Sequence, residues 1–232
     1  MASYKYILFD MDNTLLDFSR AEYLAFKSTA ESVGLDYNEE LYSMYSEIND
    51  SLWKKLEVGG ITLDELKIER FRMLFSALGY PDDNEREKMA LAMRDEYMHA
   101  LGQQGCLVPD AREVCEVLSK KYRMFIVTNG IADIQVSRFA LSGIDKYFEE
   151  MFISERIGHT KPDKGFFDYV LRAVGDNDKS AYLVIGDSLT SDCDGAIAYG
   201  LDICRYNPKN QPDKGRVLTY TVSKLTDLFG IL

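Results

Sequence analysis

One pattern recurs along the chain and limits its fold more than any other. Tyr4-Lys5-Tyr6-Ile7-Leu8-Phe9 runs into Asp10-Met11-Asp12-Asn13-Thr14. Arg123-Met124-Phe125-Ile126-Val127 runs into Thr128-Asn129-Gly130, and Ala181-Tyr182-Leu183-Val184-Ile185 runs into Gly186-Asp187-Ser188. Apolar, β-rich runs that end in acidic, hydroxyl and glycine residues read as buried parallel strands delivering a site at their carboxyl ends. Met151-Phe152-Ile153, Ile203-Cys204 and Val217-Leu218-Thr219-Tyr220 read as further strands, with helical stretches between them. Strands alternating with helices predict an α/β fold built on a doubly wound parallel sheet.

Residues 17–103 break that alternation. Tyr23, Phe26, Ala30 and Val33 recur at helical spacing, as do Leu41, Met44, Ile48 and Leu52. Thr62-Leu63-Asp64-Glu65 is a capping box opening a third helix with Ile68, Phe71, Phe75 and Leu78 on one face. Ala90, Met93, Tyr97 and Ala100 give a fourth. Four amphipathic helices without an intervening strand predict a helical bundle inserted after the first strand. The expected division is 1–16 with 104–232 for the sheet domain and 17–103 for the insertion, with Gly102-Gln103-Gln104-Gly105 as the return hinge.

Composition narrows the partners. Lys plus Arg number 27 against 38 for Asp plus Glu, a net charge of -11. That field repels phosphate backbones and anionic lipid, so nucleic-acid polymers and membrane surfaces are excluded as partners. A small anionic substrate is not excluded, because a metal ion and local donors overrule a distant field inside a closed site. The four cysteines, Cys106, Cys115, Cys193 and Cys204, fall singly, and the only histidines are His99 and His159. A His-rich zinc site is therefore not expected, and the thiols read as buried or semi-buried groups in a reducing compartment. With no signal-peptide pattern and no apolar run of membrane-spanning length, the expected location is the cytoplasm. The sequence names no oligomeric state.

The chemistry rests on four elements in order. Asp10-x-Asp12-x-Thr14 puts two carboxylates where a strand ends, so one can attack phosphorus while the other moves the leaving-group proton. Thr128-Asn129-Gly130 sets a hydroxyl, an amide and the start of a helix towards an anion. Lys161 precedes Pro162, a residue suited to the first position of a helix, and an ammonium there can reach a phosphoryl oxygen. Gly186-Asp187-Ser188-Leu189-Thr190-Ser191-Asp192 adds two carboxylates, an oxygen-only donor set that suits Mg²⁺.

In these motifs the chain resembles the haloacid dehalogenase-like hydrolase superfamily over nearly its whole length. The resemblance implies Asp10 as the nucleophile forming an aspartyl-phosphate and Asp12 as general acid, then base. It implies Mg²⁺, with Mn²⁺ as a substitute, held by the Asp10 carboxylate, the Asp12 backbone carbonyl and Asp187. Thr128, Asn129 and Lys161 would bind the phosphoryl group, and Asp192 would act through water or by orienting Lys161. The insertion resembles the family's helical cap. Its Asn49-x-x-Leu52-Trp53 and Gly59-x-Ile61-Thr62 look like the cap of bacterial pyrimidine 5′-nucleotidases, which implies a nucleoside monophosphate as substrate with Asn49 and Trp53 near it. His159 stands where relatives usually carry a small apolar residue, and Asp110 where Gly is commoner. Two other readings stay open: a phosphatase or phosphomutase of sugar phosphates, and a receiver domain phosphorylated on aspartate.

Overall fold

The computed structural model describes residues 4–232. Six strands form one parallel sheet in the order β3-β2-β1-β4-β5-β6. They are β1 Tyr6–Phe9, β2 Arg123–Thr128, β3 Glu150–Ile153, β4 Tyr182–Gly186, β5 Asp202–Tyr206 and β6 Tyr220–Val222. All four residues of β1 are buried because β2 and β4 flank it and helices cover both faces of the sheet. Side chains alternate across a strand. Ile7, Phe9, Met124, Ile126, Leu183 and Ile185 therefore form one core with α5 (Ala111–Leu118) and Phe139 of α6 (Ala132–Ser142). Tyr6, Leu8, Phe125, Val127 and Val184 form the other, with Phe166, Phe167, Val170 and Leu171 of α8 (Lys164–Val174) and Ala196 and Tyr199 of α9 (Asp194–Tyr199). A single turn, α7 (Ser154–Ile157), follows β3. The chain is thus an α/β protein with a doubly wound sheet.

The chain divides into two compact units. One ends at Phe18 and resumes over Gly105–Leu232; the other is Ser19–Gln104. Within the first, Leu16 bridges Leu107 and Asp17 N–H donates to the Cys106 carbonyl at 2.9 Å, so the chain leaves and re-enters this unit at one place.

The second unit holds α1 (Phe18–Ser32) from Ser19 onward, α2 (Glu39–Glu57), α3 (Leu63–Ala77) and α4 (Asn84–Gly102). Its helices close on an aromatic stack: Phe26 lies 4.2 Å from Tyr45, which lies 5.8 Å from Phe71 and 5.6 Å from Tyr97. Phe26 and Phe71, fully buried, each stabilise by about 1.5–3 kcal/mol. The expected capping box is present, with Glu65 N–H donating to Thr62 Oγ1 and Thr62 N–H to Glu65 Oε2.

Three local expectations are corrected. Leu78 lies outside the apolar face of α3, 37% exposed, because the helix ends at Ala77 and Gly79 takes a left-handed φ of 81°. Pro162 is not the first helical residue: Asp163 caps Gly165 N–H, and α8 starts at Lys164. The last strand begins at Tyr220 instead of Val217, which is 89% exposed. The loop before it is tied down by side chains: Asn207 exchanges two hydrogen bonds with the Gln211 backbone, and Arg216 forks onto Asp194.

Candidate active site

Register brings the motifs together. Phe9 pairs with Ile126 on one side and Ile185 on the other, so the residues just beyond these positions share one edge of the sheet. β1 and β4 are also where the strand order turns outward in both directions, the crevice at which open α/β sheets bind ligands. Asp10 N–H is held by the Ile185 carbonyl at 2.8 Å. The backbone then turns: Leu15 and Leu16 N–H both donate to the Met11 carbonyl, and Asn13 takes a φ of 57°, a left-handed position that Asn tolerates. Asp10 and Asp12 can therefore serve the same crevice although both would leave an ideal strand on one face.

Lys161, 1% exposed, is the hub of the buried half of the site. Its Nζ donates to Asp10 Oδ1 at 2.8 Å, to Asp192 Oδ1 at 2.6 Å and to the Val127 carbonyl at 2.8 Å. Asp192 is in place because Gly186 has no side chain; a Cβ there would lie 2.3 Å from Asp192 Oδ2. Ser188 N–H also donates to that oxygen. Burial alone would lower the Lys161 pKa, but the Asp10 and Asp192 carboxylates outweigh it and hold the pKa above its ordinary value. Asp10 titrates well above the usual carboxylate range: burial pushes it up, Lys161 pulls it down, and Asp192 and Asp187 push it up again. Burial and then Asp192 push Asp187 up to about 7.

Asp12 stands in a different environment. Its Oδ2 accepts from Gln135 Nε2 at 2.8 Å and its Oδ1 from Arg138 Nη1. Gln135 Nε2 also donates to Thr128 Oγ1 at 2.7 Å, and Gly130 N–H donates to the same oxygen. Gln135 and Arg138 lie one turn apart on α6, both buried. Their part was missed in the sequence. The available signal was a Gln and an Arg at i, i+3 in the helix that follows Thr128-Asn129-Gly130, on the same side as Ile134 and Phe139.

The remaining expected residues fall as follows. Thr128 is buried at the end of β2, and α6 starts four residues later at Ala132. Both ends of the Asn129 side-chain amide are committed to the Lys161 backbone, donating to its carbonyl at 2.8 Å and accepting its N–H at 2.9 Å. Asn129 thus fixes the segment that carries Lys161. Asn49 and Trp53 lie on α2 in the helical unit. Asn49 is buried, donating to Glu22 Oε1 at 2.7 Å and accepting from Arg70, while Trp53 is half-buried. His159 is exposed and pairs with Asp163 at 2.8 Å.

The donor set fits a hard divalent cation. Asp10, Asp187 and Asp192 each offer a carboxylate oxygen within 4.8 Å of the others, and Lys161 is the cation bonded among them. Burial first, and the crowding of three carboxylates around one ammonium after it, keep Asp10 and Asp187 titrating high. An all-oxygen site of this kind suits Mg²⁺ better than a soft metal.

Comparison with known proteins follows the same lines. The family model described as haloacid dehalogenase-like hydrolase matches residues 4–200. The chain is 34% identical over 233 residues to the HAD-hydrolase YfnB of Bacillus subtilis, covering 100% of this chain and 97% of that protein. It is 36% identical over 231 residues to the pyrimidine 5′-nucleotidase PynA of Streptococcus pneumoniae, covering 99% and 95%. It is 29% identical over 229 residues to the pyrimidine 5′-nucleotidase YjjG of Escherichia coli, covering 98% and 97%. The crystal structure of YfnB bound to magnesium superimposes with a TM-score of 0.91 at 35% identity, covering 99% of both chains. Sheet order, motif geometry and these full-length matches agree, and the chain belongs to the haloacid dehalogenase-like hydrolases.

Proposed function

We propose that this hydrolase is a Mg²⁺-dependent phosphomonoesterase that acts through an aspartyl-phosphate on Asp10, with nucleoside 5′-monophosphates as substrates and pyrimidines preferred. One observation carries the chemistry. Two carboxylates two residues apart stand in different surroundings, Asp10 buried against Lys161 and Asp12 held on Gln135 and Arg138. That division suits one nucleophile and one proton carrier. Lys161 takes Asp10 Oδ1, leaving Oδ2 to attack phosphorus. As the Asp10–phosphorus bond forms, the bond to the leaving oxygen breaks and that oxygen takes a proton from Asp12. Asp12, now a carboxylate, takes a proton from water; the water oxygen bonds phosphorus, releasing inorganic phosphate and restoring Asp10. Thr128 and backbone N–H groups near Gly130 bind the phosphoryl oxygens in both steps, and the Lys161 ammonium, its N–H groups donating to Asp10, Asp192 and Val127, adds positive charge beside them. The Asp10 carboxylate, the Asp12 carbonyl and Asp187 would hold Mg²⁺, which would supply charge neutralisation at the phosphoryl group.

The substrate reading is supported by two full-length relatives named as pyrimidine 5′-nucleotidases. Ser19–Gln104 would be the substrate-selecting cap, with Trp53 stacking on the base. Phosphatases of sugar and triose phosphates also match, over less of the chain, among them the ribulose-1,5-bisphosphate 5-phosphatase of Halopiger xanaduensis, 29% identical over 89% of this chain. A receiver domain is disfavoured by membership of a hydrolase family. The cytoplasm is the proposed place of action, since none of the four cysteines forms a disulfide and no described helix is long and apolar enough to cross a membrane.

A panel of phosphate esters assayed with Mg²⁺ and with excess EDTA tests this reading. Uridine and thymidine monophosphates should be hydrolysed faster than purine nucleotides and sugar phosphates, and only with the metal. Preference for a sugar phosphate would replace the substrate, and full activity in EDTA would replace the mechanism.

A further inference from the structure

Deep burial of an arginine and a glutamine costs free energy unless their polar atoms are paired, and here those pairings lead to the reacting groups. Arg138 is 0% and Gln135 1% exposed. Arg138 donates to Asp12 Oδ1 and to Gln135 Oε1, and lies over the Phe18 ring at 5.3 Å. Gln135 Nε2 spans Asp12 Oδ2 and Thr128 Oγ1. The orientation of the Gln135 amide follows from these neighbours, with acceptors at its nitrogen and a guanidinium at its oxygen. Thr128 Oγ1 accepts two hydrogen bonds, from Gln135 and from Gly130 N–H. Both lone pairs are then engaged, which turns the hydroxyl proton outwards to donate. The arrangement depends on Gly130, where a Cβ would lie 2.4 Å from Gln135 Cδ and Nε2. The start of α6 is itself fixed by Ala132 N–H donating to Glu155 Oε2 at 2.6 Å.

We propose that Gln135 and Arg138 are positioning residues for phosphoryl transfer: Arg138 fixes where the Asp12 carboxylate stands, and Gln135 ties that carboxylate to a Thr128 hydroxyl aimed at the phosphoryl group. The proposal rests on Asp12 being the proton carrier. It gives the two residues different signatures. Of the two reacting-site groups, Arg138 bonds Asp12 directly and reaches Thr128 only through Gln135, so its loss falls mainly on substrates that need a leaving-group proton. Gln135 also serves Thr128, so its loss affects every phosphate ester.

The test is single-turnover phosphorylation of the enzyme with saturating Mg²⁺. It compares the alkyl phosphate that the protein hydrolyses best with p-nitrophenyl phosphate, whose leaving group departs without a proton. Proton transfer is worth about 10²–10⁴ in rate, so Asp12→Asn should lose about that on the alkyl ester and far less on the aryl ester. Arg138→Met should show the same selectivity at about 10–100-fold, and should add almost nothing in the Asp12→Asn background, as expected of residues acting as a unit. Gln135→Met should slow both esters. Arg138→Lys and Gly130→Ala, the latter pushing Gln135 aside, carry the same comparison if the buried substitutions lower the melting temperature. Equal losses on both esters for Arg138→Met and Arg138→Lys, with Asp12→Asn still selective, would overturn the positioning role alone. An unselective Asp12→Asn would overturn the proton-carrier reading and this proposal with it.

Discussion

In the proposed reading, Asp187 would link protonation to metal binding at a single side chain. Its pKa is pushed up to about 7, first by burial and then by Asp192. A carboxylate raised in this way favours the folded state at low pH. That contribution is full below its ordinary value of 3.8 and is lost as pH rises through about 7. Metal and proton compete for the same oxygen. Mg²⁺ should therefore raise the melting temperature more at pH 8 than at pH 6, and Asp187→Asn should shrink both increments. Differential scanning calorimetry with and without Mg²⁺ measures this; an increment larger at pH 6 would show that the metal does not displace a proton here. The sequence places Asp10, Asp12, Asp187 and Asp192 together because their segments follow apolar strands, and strand ends in parallel sheets converge; Lys161 is placed by the Lys-Pro that precedes a helix. Gln135 and Arg138 were not legible there, because a polar side chain inside a helix reads as solvent-facing until the partner that it reaches across the fold is known.

Elements set the tolerance of the site to change. Gly186 ends β4 where a methyl group would strike Asp192, itself bonded to Lys161. Gly186→Ala should cut kcat by at least about 10-fold through Lys161 while the protein stays folded, since small displacements of positioning groups are costly. Unchanged kcat would mean that Asp192 has room to move. In the helical unit, Glu22 of α1 is held by Asn49 of α2 and Tyr42, close to the buried Arg70 of α3. Burial first, and Asp50 second, push its pKa to about 7. The stabilisation tied to its neutral form is full below about 4.5 and lost as pH rises through about 7. Glu22→Gln should flatten the fall in stability over that window, read as urea midpoints at pH 5 and pH 7.5; an unaltered slope would remove Glu22 from the pH dependence. Periodicity gave the four helices and most of their apolar faces, but not the Glu22–Asn49–Arg70 set buried among them. The end of α3 and the start of β6 were misread for a local reason. Leu78 and Val217 are apolar, but the backbone at Gly79 and the side-chain ties of the 207–219 loop decide where they lie.

At the scale of the whole molecule, a net charge of -11 coexists with a site meant for a phosphate ester. Local cations resolve the conflict: Lys161 and Arg138 are buried at the carboxylates, and the acidic cluster calls for a divalent ion beside them. The resulting field should keep polyanions out while admitting a small ester with its metal. The mechanism stands or falls on whether Asp10 carries the phosphoryl group. Acid quenching of the Asp12→Asn variant within its first turnover of p-nitrophenyl phosphate, followed by peptide mass spectrometry, tests this most directly. One phosphoryl group should appear on the peptide containing Asp10 and be absent in Asp10→Asn, which should also have no turnover. Sustained turnover by Asp10→Asn, or a phosphoryl group on any other residue, would contradict it.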